Sequence, residues 1–167
     1  MAVLSGFGVV LDAELASCVT RADPCMVMIS AEHPLAAKAE IHPRELRGMP
    51  IVLNRAQDSQ PSAAQIAGMY ASMGLGGNPR MYADDFYGIA LIIHAGLAFS
   101  IMPASMADWG ISGVVFRPLH GFRAKARTLL VYPRGRKELG VSSFVSLIKP
   151  KPVSYTHLRA HETELHL

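Results

Sequence analysis

A chain of 167 residues, half of them apolar and with a mean hydropathy of +0.24, carries enough apolar material for one domain-sized core. Its net charge of +3 is too mild to argue for nucleic acid by itself, and no apolar run reaches the roughly 18 residues that span a bilayer. Met1–Val10 has no basic stretch ahead of its short apolar run, so no secretory signal is expected.

Taken in chain order, residues 1–24 carry little signal: Val9–Leu11 is a weak strand candidate and Ala13–Cys18 a weak helical one. Cys25–Ile29 is a short apolar run with β-branched members and reads as a buried strand, broken by His33-Pro34, because a residue before proline avoids the α region. Cys18 and Cys25 fit no metal-ligand spacing and are expected as reduced thiols. Pro43–Leu46 allows one helical turn closed by Gly48, and Ile51–Leu53 is a second buried strand. Asn54–Ser62 reads as a polar loop, followed by a helix opened by Pro61 or Ser62 that runs to about Met73, with Ile66, Met69, Tyr70 and Met73 on one face. Arg80–Ala83 is a brief strand.

The stretch from Asp84 to Pro103 is the most informative. Asp84 or Asp85 caps a helix whose Ile89, Ile92 and Ile93 share one face, Gly96 suits the left-handed position after its end, and Phe99–Met102 is a compact buried strand stopped by Pro103. A helical turn at Ala104–Asp108, strands at Val114–Phe116 and Thr128–Tyr132, and an amphipathic helix at Lys137–Ile148 complete the pattern. Strands alternating with helices predict an α/β fold with a mostly parallel sheet, in which ligands bind beyond the carboxyl ends of the strands.

Three segments carry a family resemblance. Ala95–Pro103 resembles the "aGlGiallP" segment of LysR-type transcriptional regulators, His33-Pro34-Leu35-Ala36 resembles their "HPLA", and Glu45–Val52 resembles their "dLrgxpli", in the family's order and spacing. Together they cover about residues 25–149. Ala98 stands where the family usually has a second glycine, so no tight backbone–ligand approach is expected there. The resemblance implies a type 2 periplasmic-binding-protein-like fold, mostly one α/β subdomain plus part of the second. It implies the end of the first effector subdomain or a crossover at 1–24, the second subdomain at 25–125, and a return crossover with the C-terminal helix at 126–152. It implies a cytoplasmic, non-enzymatic domain that binds a small-molecule metabolite effector, forms a homo-oligomer in the full-length protein, and meets DNA only through a helix–turn–helix domain that this chain lacks, with no membrane partner. A solute-binding protein of a transporter shares the fold and is the alternative.

The candidate site follows from the strand ends. The loop Asn54, Arg55, Gln57 to Ser62 precedes a helix N-terminus, where backbone N–H groups and the helix dipole favour an anion, and Arg55 offers a bidentate carboxylate clamp. Asp85 and Phe86 open the next helix, and Ser100 and Met102 lie nearer the cleft floor. Through the resemblance these eight residues form one wall of the effector cleft. Nothing supports catalysis: Ser30, His33 and Asp23 lack a nucleophile elbow, and Ser30 and His33 read as turn residues. His94 reads as a core or cap residue. Arg123, Lys125 and Arg127 read as a solvated strand face, and Met26, Met28, Met69, Met73 and Met81 as core filler. No cofactor and no metal are expected.

Val153–Thr163 continues no earlier pattern and resembles, codon for codon, the translation of a transposase-type sequencing adapter. His157 and His161 have the spacing of two ligands on one helix face, but the adapter accounts for both, so residues 153–167 are read as a non-native tail without a metal site.

Overall fold

The computed structural model describes residues 2–6, 13–58, 63–133 and Ser143. Among the described residues seven strands and three helices have defined bounds: β1 (Ala2–Gly6), β2 (Leu15–Ser30), β3 (Ile51–Asn54), α1 (Arg55–Asp58), α2 (Ala63–Ser72), β4 (Arg80–Ala83), α3 (Phe86–His94), β5 (Ser100–Pro103), β6 (Val114–Pro118) and β7 (Lys125–Pro133). Short 3-10 turns occupy Pro34–Ala37, Pro43–Leu46 and Ala104–Trp109.

The strand β2 organises the sheet. Its first half, Leu15–Pro24, pairs antiparallel with β7, and β7 pairs on its other edge with β1. Its second half lies between β5 and β6, both antiparallel to it. The pair β3–β4 is parallel and joins the rest through a parallel bridge between Ile51 and Phe99. The expected mostly parallel sheet is therefore corrected to a mixed one: helix–strand alternation fixes which elements exist, but not the direction of a long strand whose partner lies a hundred residues away. The expected helix at Ala13–Cys18 is also corrected, since Leu15–Cys18 is strand. The strand candidate at Val9–Leu11 and most of the helix at Lys137–Ile148 lie outside the described residues.

Side-chain alternation sorts the core into two faces. On one face Val27 and Ile29 of β2, Ile51 and Leu53 of β3, and Phe99 and Ile101 cluster with Ile66 and Tyr70 of α2. On the other, Met28 of β2 and Val52 of β3 cluster with Ile89, Ala90 and Ile93 of α3. Each helix thus covers one side of the sheet with the apolar stripe that its sequence shows. Asp85 caps α3, its carboxylate accepting the Gly88 N–H at 2.7 Å, and Gly96 takes a positive φ of 73° just past the helix end.

Local turn chemistry fixes the loops. His33 Nδ1 accepts the Leu35 N–H, and Ser30 Oγ accepts the Glu32 N–H and donates to the His94 carbonyl, so both act as turn residues. Gly113 has a φ of +79°, and a Cβ there would sit 1.8 Å from His94 Nδ1. Gly113→Ala is therefore expected to lower stability by about 1–2 kcal/mol from the left-handed backbone alone. In urea unfolding, adding His94→Ala should recover only the steric part of the loss. Complete recovery would contradict the backbone argument.

A cavity at the strand ends

The strand β3 ends at Asn54, alongside β5, and α3 begins beside both. Here a cavity of about 250 Å³ opens, lined by Leu53 and Asn54, by Ile66, Met69 and Tyr70 of α2, by Phe86 and Ile89 of α3, by Ser100–Pro103, and by Met106 and Ala126. It takes side chains from both helical layers because it lies where the sheet stops between them. None of the described lining residues is charged.

Its polar groups are few and tied to backbone. The Asn54 amide donates to the Asp84 carbonyl at 3.2 Å while its Oδ1 accepts the Ala56 N–H at 2.9 Å, which holds the end of β3 to the entry of α3. The Tyr70 hydroxyl accepts the Ile101 N–H at 3.1 Å, and the Ser100 side chain lies beside it. Tyr70 and Ser100 are each 2% exposed. Burial pushes the Tyr70 phenol up to about 12, against the pull of the Ile101 N–H, and burial pushes the Cys25 thiol up to about 11. Both groups then lose their protons more readily in the unfolded chain. The stability tied to them is complete below their ordinary values of 9.0 and 10.0 and is lost as pH rises through the folded values. The urea midpoint should fall between pH values of about 9 and 12, and Tyr70→Phe should flatten the upper part of that fall. A flat alkaline profile would contradict the placement of both groups.

At the rim, Arg55 Nε pairs with Asp84 Oδ1 at 2.9 Å, and the guanidinium carbon lies 5.8 Å from the centre of the Tyr82 ring. Trp109 meets the edge of Phe86 at 4.9 Å between ring centres, so the chain's single tryptophan stands beside a cavity wall.

The LysR substrate binding domain family matches residues 2–151. The chain belongs to that family. The Hca operon transcriptional activator HcaR of Escherichia coli K12 is 23% identical over 134 residues, which are 80% of this chain, and the chain spans 45% of HcaR's length. Among solved structures, the effector binding domain of BenM with its effector benzoate superposes with a TM-score of 0.72 at 18% identity, covering 87% of this chain and 67% of that one. The regulatory domain of NMB2055 (MetR) from N. meningitidis gives 0.66 at 12% identity, covering 88% and 70%. The reduced regulatory domain of OxyR from Pseudomonas aeruginosa gives 0.67 at 15%, again over 88% and 70%. The fold is that of LysR effector-binding domains, as the resemblance implied.

Of the eight expected site residues of this LysR-type domain, Asn54, Phe86, Ser100 and Met102 line the cavity. Arg55 is not among the lining residues; its guanidinium is engaged by Asp84. Asp85 is also absent from the lining, its carboxylate being turned to the Gly88 N–H. Gln57 belongs to α1, its side chain outside the described residues, and Ser62 lies outside them altogether. The wall that sequence reasoning missed is that of Met69, Tyr70 and Met106. Helical periodicity shows that Met69 and Tyr70 share a face, but it does not separate a core position from a cavity wall.

Proposed function

We propose that this chain is the effector-sensing domain of a LysR-type transcriptional regulator, and that the cavity at the ends of β3 and β5 receives part of the effector. The observation that carries this is a cavity at the strand ends of a domain whose family membership is shown, with Asn54, Tyr70, Phe86, Ser100, Met102 and Met106 around it. Arg55 and Asp85 then serve the rim, holding the entry of α3 in place. Residues 25–125 act as the second effector subdomain, 1–24 as the end of the first or a crossover, 126–152 as the return crossover with the C-terminal helix, and residues 153–167 as a non-native tail; the family match ending at residue 151 supports the last of these.

The domain works without covalent chemistry. An effector shifts a conformational equilibrium only by its differential affinity for the two states, so its grip on the cavity walls must differ between them. The regulator acts in the cytoplasm on DNA through a segment outside this chain and as a homo-oligomer. The exposed Tyr87 and Leu91, four residues apart on α3, are suited to self-association. The family match favours this reading over a transporter's solute-binding protein. Met106→Trp, which fills the cavity from its half-buried edge, tests it. A small molecule that raises the melting temperature of the wild-type chain should lose that effect in the variant at an unchanged basal melting temperature. An undiminished shift would place the binding site elsewhere.

A further inference from the structure

Resting on the reading of this cavity as the effector site, we infer that its ligand is uncharged where it enters, ring-sized and largely apolar, with one hydrogen-bond acceptor that meets the Ser100 hydroxyl.

Size and lining set the body of the ligand. The cavity, at about 250 Å³, exceeds the roughly 150 Å³ of an apolar cavity that takes benzene, and leaves room for one ring with a small substituent. Its described walls are Leu53, Ile66, Ile89 and Ile101, the Phe86 ring, and the thioethers of Met69, Met102 and Met106. Flexible, polarisable thioethers pack against ring edges and faces better than against solvated charge. A carboxylate pushed among these walls would lose its hydration with no described cation to meet it. Arg55, next to the lining residue Asn54, is already paired with Asp84.

Proton accounting sets the polar group. The Tyr70 oxygen already accepts the Ile101 N–H, and the Ser100 side chain lies beside it; both residues are buried and line the cavity. Among the described residues no carbonyl or carboxylate accepts from the Ser100 hydroxyl, so its proton is available to a ligand in the cavity. One buried donor on an apolar floor selects a carbonyl, ether or hydroxyl oxygen and gives the ligand its orientation.

Trp109, in edge contact with Phe86, reports occupancy, and the whole 167-residue chain can be used. The probes are methyl benzoate, a neutral ring with one carbonyl acceptor, and succinate, a dianion without a ring. Emission is excited at the red edge of the tryptophan band, where neither probe absorbs. Methyl benzoate should change Trp109 emission saturably with a Kd of about 1 mM, and succinate at matched ionic strength should not. Ser100→Ala, checked for native circular dichroism, should bind methyl benzoate about five- to tenfold more weakly. If that variant does not fold, toluene, which lacks the acceptor, should bind the wild-type chain correspondingly more weakly than methyl benzoate. Succinate binding as tightly as the ester would overturn the inferred ligand class while leaving the cavity a small-molecule site. No response to the ester would overturn the inference outright, and the Met106→Trp comparison with other ligands would then judge the site separately. Equal binding of the ester by wild type and Ser100→Ala would remove Ser100 from ligand contact.

Discussion

Phe99→Ala is expected to be among the most damaging single truncations, lowering stability by about 3–5 kcal/mol. Phe99 is fully buried, and its ring belongs to the cluster formed by β2, β3 and α2. Its backbone also fastens the parallel pair to the main sheet: the Phe99 N–H donates to the Pro50 carbonyl at 3.0 Å, and the Phe99 carbonyl accepts the Val52 N–H at 2.9 Å. Alanine keeps those bonds but leaves a cavity at the junction, and the surrounding strands, held by their ladders, collapse into it only in part. For a chain of this size the melting temperature should fall by about 10–15 °C. Phe99→Leu, which refills most of the volume, should lose well under half as much. Equal losses for alanine and leucine would mean that ring shape rather than volume carries the site, and a loss for alanine below about 1 kcal/mol would contradict the burial.

Asn78 should be the most sensitive polar residue. It is 8% exposed and lies away from the cavity lining, yet its amide donates to the Leu46 carbonyl at 2.7 Å and the Met49 carbonyl at 2.8 Å while its Oδ1 accepts the Gly48 N–H at 3.3 Å. It ties the turn before β3 to the turn before β4, so that the two parallel strands start in register. Asn78→Ala leaves these groups short of partners and should lower stability by about 2–4 kcal/mol, since each unpaired buried group costs about 1–3 and the turn relaxes in part. Asn78→Asp should be worse at neutral pH, because a carboxylate would face two carbonyl oxygens. Its folded pKa would be raised above the ordinary value of about 3.9, so the variant should regain stability as pH falls towards 4. Urea midpoints at neutral and acid pH check this. An aspartate variant as stable as alanine at pH 7 and insensitive to acid would contradict the geometry.

Much of the fold between residues 25 and 125 was legible in the sequence because its signals are local. The Asp85 cap, the isoleucine stripe of α3 and the glycine after it sit within a dozen residues of one another, and each reports a backbone requirement that few residues meet. The run Ile51–Leu53, which β3 extends by Asn54, is apolar at every position because both of its faces are covered. The first half of β2 was not legible for the opposite reason. Leu15–Pro24 alternates between partly covered and exposed positions in a strand held by β7, and neither the partner nor its direction is written nearby. The candidate site divides in the same way. Asn54, Ser100 and Met102, expected from strand ends together with the family resemblance, line the cavity, as does Phe86 at the helix entry. Arg55 pairs with Asp84, 29 residues away, a partner that the local sequence does not reveal. Met69 both packs against the core and lines the cavity, and nothing in a helical stripe distinguishes a thioether facing a cavity from one packed against a strand.

The most direct test of the cavity as the ligand site is methyl NMR of the chain with its nine methionines carrying labelled methyl groups. Met69, Met102 and Met106 line the cavity, whereas Met28 and Met81 belong to the α3 side of the sheet and take no part in it. On titration with a mixture of small ring compounds and carboxylic acids, the three cavity methyl signals should move together and saturate at one common concentration while Met28 and Met81 stay fixed. Ligand-dependent shifts at Met28 and Met81 with the cavity methyls unmoved would contradict the assignment of the site.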